Sequence, residues 1–188
     1  KPVAVQDTGT DASMAPTLVQ SMSSLAATAG DGSSNSFFTL DASLNLTSVG
    51  GQKLGTLTDL FAQASRMTVP VVRINAQATV DALVAFSKDV HALSDITFLS
   101  SNVALLASVR QQLPETRTAV DFSADALSNS TESLLKISGD TNRAGAKIAV
   151  LPANLTTRDF VARLQRLLLT VWASSDAATP AQAAQVLT

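Results

Sequence analysis

The 188-residue chain has no cysteine and no tyrosine, a single tryptophan and a single histidine. Without cysteine there are no disulfides, no thiolate metal sites and no cysteine nucleophile. One histidine cannot supply a two-imidazole acid–base pair by itself. Charge is scarce too: charged residues make up 15% and the net charge is −2, so no basic surface is available to neutralise many nucleic-acid phosphates. Nucleic acid is therefore excluded as a partner. No apolar run approaches the roughly 18 residues of a membrane-spanning helix, and Lys1-Pro2-Val3-Ala4-Val5 is too short for a signal-peptide core. No transmembrane segment is expected. There is also no Gly-rich phosphate loop, no G-x-S-x-G elbow and no calcium-loop spacing among Asp11, Asp31 and Asp41.

What is present is an ordinary globular apolar fraction, 46%, in a regular rhythm from residue 56 onward. Thr56 caps a helix whose face is Leu57, Leu60, Phe61 and Ala64. Val69 to Ile74 is a β-branched strand, followed by a helix carrying Val80, Leu83, Val84 and Val90. Ile96 to Leu99 is the next strand, with a helix from Val103 to Leu113 ended by Pro114. The order then repeats: strand Arg117 to Phe122, helix Glu132 to Asn142, a turn at Gly145 and strand Lys147 to Leu151. The helix Thr157 to Leu168 is the most amphipathic, ahead of strand Leu169 to Trp172 and a short helix Pro180 to Leu187. Strands alternating with crossover helices imply parallel pairing and an α/β fold. Residues 8–55 break the rhythm with Thr28 to Ser36 and Gly50-Gly51, so that span is expected as a loop-rich insertion in a single domain, with Phe37 to Leu46 either a short strand or irregular.

The order of these segments resembles that of the glycerophosphodiester phosphodiesterases, members of the phospholipase C-like phosphodiesterase superfamily. Pro2 to Asp7 resembles the family's third strand, which ordinarily ends in His-Asp, and Leu54 to Phe61 its "P-T-L-x-E" helix start. Val71-Val72-Arg73-Ile74-Asn75 falls where the family writes "I-E-I-K". Phe98 to Ser101, Asn142 to Lys147 and Leu169 to Ala173 resemble the fifth strand's Ser-Ser ending, the entry to the seventh strand and the "V-W-T" eighth strand. The resemblance spans nearly the whole chain. It implies a partial (β/α)8 TIM-type barrel covering about strands three to eight, lacking the first two strands with their His-Arg-Gly and Glu-x-Asp motifs. Such a barrel would expose edge strands at Val3 to Val5 and Leu169 to Trp172, to be covered by a missing segment or a partner chain.

The family's chemistry, as the resemblance implies it, is hydrolysis of a phosphodiester with Ca²⁺ or Mg²⁺ held by oxygen ligands and protons moved by two histidines. At the matching positions stand Gln6 for the acid histidine, Arg73 for the metal-binding glutamate and Asn75 for the lysine. An amide does not titrate near neutrality, and a guanidinium repels the metal a carboxylate would hold. The expectation is a non-catalytic binding or assembly module, with no catalytic residue and no cofactor. Its ligand residues would be Gln6, Asp7, Arg73, Asn75 and Trp172, and its ligand a small anion or phosphodiester. Inward-facing Arg73 would pair with Gln6 or a carboxylate such as Asp7, or else bind an anion. Trp172 reads as core packing before pocket lining, Asp121 and Ser123 as structural before pocket lining, and His91 as an ordinary helix-end residue. An enzyme fragment needing Ca²⁺ or Mg²⁺ and a purely structural domain are the alternatives. The Ser/Thr/Ala-rich composition points toward a secreted or envelope location, and three N-x-[ST] triplets, at Asn45, Asn129 and Asn154, are too easily met by chance in such a chain to add to this.

Overall fold

In the computed structural model, residues 17–21, 35–48, 51–63, 70–88 and 92–174 are described. Nine strands form one sheet: β1 (Thr17–Ser21), β2 (Asn35–Leu40), β3 (Asn45–Thr47), β4 (Lys53–Thr56), β5 (Pro70–Arg73), β6 (Thr97–Ser100), β7 (Arg117–Asp121), β8 (Ile148–Pro152) and β9 (Thr170–Ser174). The helices are α1 (Leu57–Gln63), α2 (Gln77–Ser87), α3 (Val103–Gln112), α4 (Thr131–Arg143) and α5 (Arg158–Arg166). From β5 to β9 each neighbouring pair is parallel and joined through a helical crossover, the α/β arrangement expected from the alternating pattern. The molecule is a partial TIM-type barrel.

Short apolar strands form here because both faces of the sheet are covered. Val71, Leu99, Ala119, Ile148, Val150 and Trp172 cluster on the inner face. Their chain neighbours Val72, Phe98, Val120, Ala149 and Val171 belong to the larger core, together with α2, α3 and α5 residues such as Leu83, Leu106 and Phe160. Strand residues thus alternate between barrel interior and helix layer.

Helix ends follow the local chemistry. Asn102, Ser130 and Thr157 accept the first free N–H groups of α3, α4 and α5. At the far end of α4, Gly145 takes a left-handed φ of 68°, with Gly145 N bonded to Asn142 O and Ala146 N to Thr141 O, each at 3.0 Å. α5 closes with the same bond pattern, but the left-handed position is filled by Leu168, φ 62° and largely exposed. A leucine there stores about 1 kcal/mol of backbone strain that glycine would avoid.

The N-terminal part differs from the sequence expectation. β1 and β2, both inside the span expected as an insertion, are parallel wall strands: β2 pairs with β5 (Phe37↔Val71, Thr39↔Arg73), and β1 pairs with β2 and with β9 (Thr17↔Trp172). Only the antiparallel β3–β4 hairpin, added beyond β2, stands apart from the parallel run as an insertion would. Among the described residues seven strands thus run parallel. The place beside β5 that was assigned to residues 2–7 belongs to β2; residues 1–7 lie outside the described residues, as does the helix expected at Pro180 to Leu187. β9, expected as an exposed edge, is paired on both sides, because β1 supplies the donors and acceptors that a covering partner would otherwise have to provide.

Candidate functional site

In a parallel barrel the residues ending the strands converge at one mouth, where inward side chains from alternate strands share a layer. Arg73 is the last residue of β5 and Asp121 the last of β7, with Leu99 of β6 between them. The layer brings them together: Arg73 Nη2 donates to Asp121 Oδ2 in an ion pair between residues 48 positions apart in the chain. The second oxygen, Asp121 Oδ1, accepts the Ser123 backbone N–H at 2.9 Å. The Asp121 side chain is only 6% exposed, whereas Arg73 is 32% exposed. The carboxylate is therefore seated inside and the guanidinium opens toward solvent. Their inner-face neighbours are apolar, Val71 and Ala119 two residues earlier on the same strands, so the pair sits over a floor that screens charge poorly.

The guanidinium meets a carboxylate, as expected of a cation facing the barrel mouth, and that carboxylate is Asp121; Gln6 and Asp7, the partners named from the sequence, lie outside the described residues. Asp121 and Ser123 were legible as a same-face pair on their strand. Their link to Arg73 was not, because it depends on barrel stagger. The signal was available in the positions: each charged residue closes its own strand, and the two strands are separated by one.

The other expected site residues are distributed differently. Asn75 is exposed, in the link between β5 and α2, two residues past Arg73; the intervening Ile74 is buried and donates its N–H to Leu99 O at 2.9 Å. Trp172 is 5% exposed and packs in the inner apolar cluster, register-linked to Asp121 through Val150. It contributes to the floor of the site. The Ser-Ser ending of the fifth family strand shapes a turn: Ser100 Oγ accepts Asn102 N, and Asn102 Oδ1 in turn caps α3 at Leu105 N, both at 3.1 Å. His91 lies outside the described residues.

β2, the strand beside β5, ends at Leu40 and leads into Asp41. Leu40 is buried in the helix-side core. Asp41 closes the turn into β3, accepting Ser43 N and Asn45 N at 2.9 Å and Asn45 Nδ2 at 3.2 Å. The Asn45 backbone bond leads the causes holding the Asp41 carboxyl below its usual range, and with the other bonds of the turn it outweighs the opposing effect of burial. This carboxylate is committed to its turn.

A divalent cation needs several oxygen ligands free to turn toward it. Among the described residues no group of three His, Cys, Asp or Glu side chains converges. At the mouth the donor set is an arginine, the carboxylate paired with it, and hydroxyls. These described residues do not fit the metal that the resemblance implies.

No protein-family model and no curated protein matches the chain. Solved structures do. A glycerophosphodiester phosphodiesterase from Parabacteroides distasonis superposes with a TM-score of 0.60 at 13% identity, over 87% of this chain and 79% of that one. A Galdieria sulphuraria protein, provisionally designated a glycerophosphodiester phosphodiesterase, gives 0.55 at 12% identity, over 78% and 63%. A Silicibacter pomeroyi protein, provisionally designated a glycerophosphoryl diester phosphodiesterase, gives 0.51 at 17% identity, over 66% of this chain. The chain spans 47% of the length of that last protein. The fold is thus that of the glycerophosphodiester phosphodiesterases. None of the described helices is long and apolar enough to cross a membrane.

Proposed function

We propose that the chain is a non-catalytic barrel of the glycerophosphodiester phosphodiesterase type that binds a small anion or phosphodiester at its mouth without turning it over. The observation that carries this reading is the Arg73–Asp121 ion pair. By the resemblance of Val71 to Asn75 to the family's strand, Arg73 stands where a metal-holding glutamate is expected. A guanidinium in that place repels a divalent ion and offers forked N–H donors to a phosphate oxygen pair. The second support is the end of β2, where Leu40 is committed to the helix-side core and Asp41 to its own turn, so that neither is turned to acid–base work at the mouth. Arg73 is the anion-facing residue of the site, Asn75 its exposed rim, and Trp172 part of its floor.

An active phosphodiesterase whose remaining parts lie elsewhere is the alternative, and the 47% share of the Silicibacter protein's length favours weighing it. One titration separates the two. Glycerophosphocholine is added to the chain with and without Ca²⁺ or Mg²⁺, following binding by calorimetry and release of glycerol phosphate by phosphorus NMR. Saturable binding with no product, weakened by Arg73→Gln and indifferent to the cation, is expected. Cation-dependent release of glycerol phosphate would establish the enzyme; no binding under any condition would leave a purely structural domain.

A further inference from the structure

We propose that Asp121 is a built-in counter-ion that competes with the ligand for Arg73, so that an incoming phosphate group binds only by taking the guanidinium from the Asp121 carboxylate. This rests on the ligand-binding reading of the mouth. A carboxylate and a phosphate monoester present oxygens to a guanidinium in the same forked geometry, and so compete for the same donors. Asp121 already sits there, with Oδ2 on Arg73 Nη2. Its other oxygen is held by Ser123 N, at the first turn of the loop that leaves β7.

The asymmetry of burial gives the competition a direction. Asp121 is 6% exposed and lies behind, while Arg73, at 32%, fronts the mouth. A ligand arriving from solvent meets the cation first and the carboxylate's negative field immediately after. Over an apolar floor that field is weakly screened, so a second negative charge on the same guanidinium is opposed unless the first withdraws. The backbone there is fixed, since Phe122 N donates to Val150 O at 2.8 Å, so withdrawal of the carboxylate is a rotation of the Asp121 side chain away from Ser123 N. The device grades ligands by charge: a monoanionic phosphodiester binds, and a dianionic phosphate monoester competes better for the guanidinium.

Removing the negative charge while keeping the side-chain shape tests this. Inorganic phosphate and glycerol 3-phosphate are titrated into the chain and into Asp121→Asn, with each protein's melting curve recorded to establish that it is folded. Asp121→Asn is expected to bind both probes roughly tenfold more tightly, equivalent to about 1.4 kcal/mol, and Arg73→Gln/Asp121→Asn to bind neither. Equal or weaker binding by a folded Asp121→Asn, with clear binding by the parent chain, overturns the counter-ion role and leaves the ligand-binding reading intact. If neither protein binds either probe, the ligand-binding reading falls and takes this inference with it. Should Asp121→Asn not fold, the parent chain still decides by proton–nitrogen NMR. Saturable movement of the Ser123 amide together with the Arg73 Nε signal supports displacement of Asp121. Movement of the Arg73 signal alone overturns it.

Discussion

Two carboxylates in this molecule are almost equally buried, yet they are compensated in opposite ways. Asp121, at the barrel mouth, meets one arginine from another strand, 48 residues away in sequence. Asp140, on the inward side of α4, meets two cations from its own helix: Lys136 at 2.7 Å and Arg143, at i−4 and i+3. Lys136 is 50% exposed and Arg143 73% exposed, so water solvates both partners of Asp140. Arg73, at 32%, is less open than either. Helical spacing alone creates the α4 cluster, and either cation can leave with Asp140 still compensated by the other. The mouth pair exists only when the barrel is assembled, because its members come from strands 48 residues apart in the chain. A charge relation built by tertiary structure is thus more brittle than one built by helical periodicity, and it is the one placed where ligands arrive.

The largest effect should come from breaking the mouth pair from the cationic side. Arg73→Met leaves the Asp121 carboxylate buried without its counter-ion, and a loss of about 2–3 kcal/mol is expected in urea unfolding, below the range for fully buried pairs because Arg73 is partly solvated. The double variant Arg73→Met/Asp121→Leu removes both charges and should recover more than half of that loss. If the double variant is as unstable as the sum of the single ones, the pair is not coupled and the contrast with α4 disappears.

The same contrast explains what could be read in advance. Residues 70–174 alternate so regularly that their strand and helix order follows from periodicity, because each element is buried on a definite face. β1 escaped, and β2 was legible only as one of two readings of Phe37 to Leu46, because Thr17-Leu18-Val19-Gln20-Ser21 and Asn35-Ser36-Phe37-Phe38-Thr39-Leu40 are embedded in Ser/Gly-rich sequence, and their pairing partners, β9 and β5, are remote in the chain. Strand character there is conferred by the neighbours, more than by local propensity. At the site, Arg73 stood out because a cation in a β-branched run must find a partner. Which partner was not legible: the stagger of the barrel, set by every strand between, decides it in favour of Asp121.

On α4 the expected effect is smaller and depends on pH. Burial pushes the Asp140 carboxyl up, but hydrogen bonds from Lys136 and Arg143 and their charges outweigh it and hold the group below its ordinary value. Lys136 is raised in turn, chiefly by its bond to Asp140. A carboxyl whose folded value is depressed contributes stability that is whole above the unfolded value and is lost as pH falls through the folded one. Asp140→Asn should therefore cost about 1 kcal/mol or less at neutral pH, since both cations are solvent-screened. It should also flatten the acid limb of the stability–pH curve. An unchanged acid limb would place the acid sensitivity elsewhere.

The smallest effect belongs to Asp59, the mirror case of a carboxylate with no burial at all. It accepts the Thr56 backbone N–H at 2.8 Å and the Thr56 hydroxyl at 3.0 Å, while Thr56 Oγ1 accepts Asp59 N at 3.3 Å, a reciprocal cap at the start of α1. The Thr56 backbone bond leads the causes that hold the Asp59 carboxyl low. Because α1 is only seven residues long and is anchored by Leu57 and Leu60 in the core, losing the cap should fray its first turn without loosening the barrel. Asp59→Ala is expected to speed hydrogen exchange of the α1 amides and leave the urea midpoint within error of the parent chain. A shift of that midpoint as large as the one for Asp140→Asn would mean that surface carboxylates count as much as seated ones, and would dissolve the ranking that burial imposes.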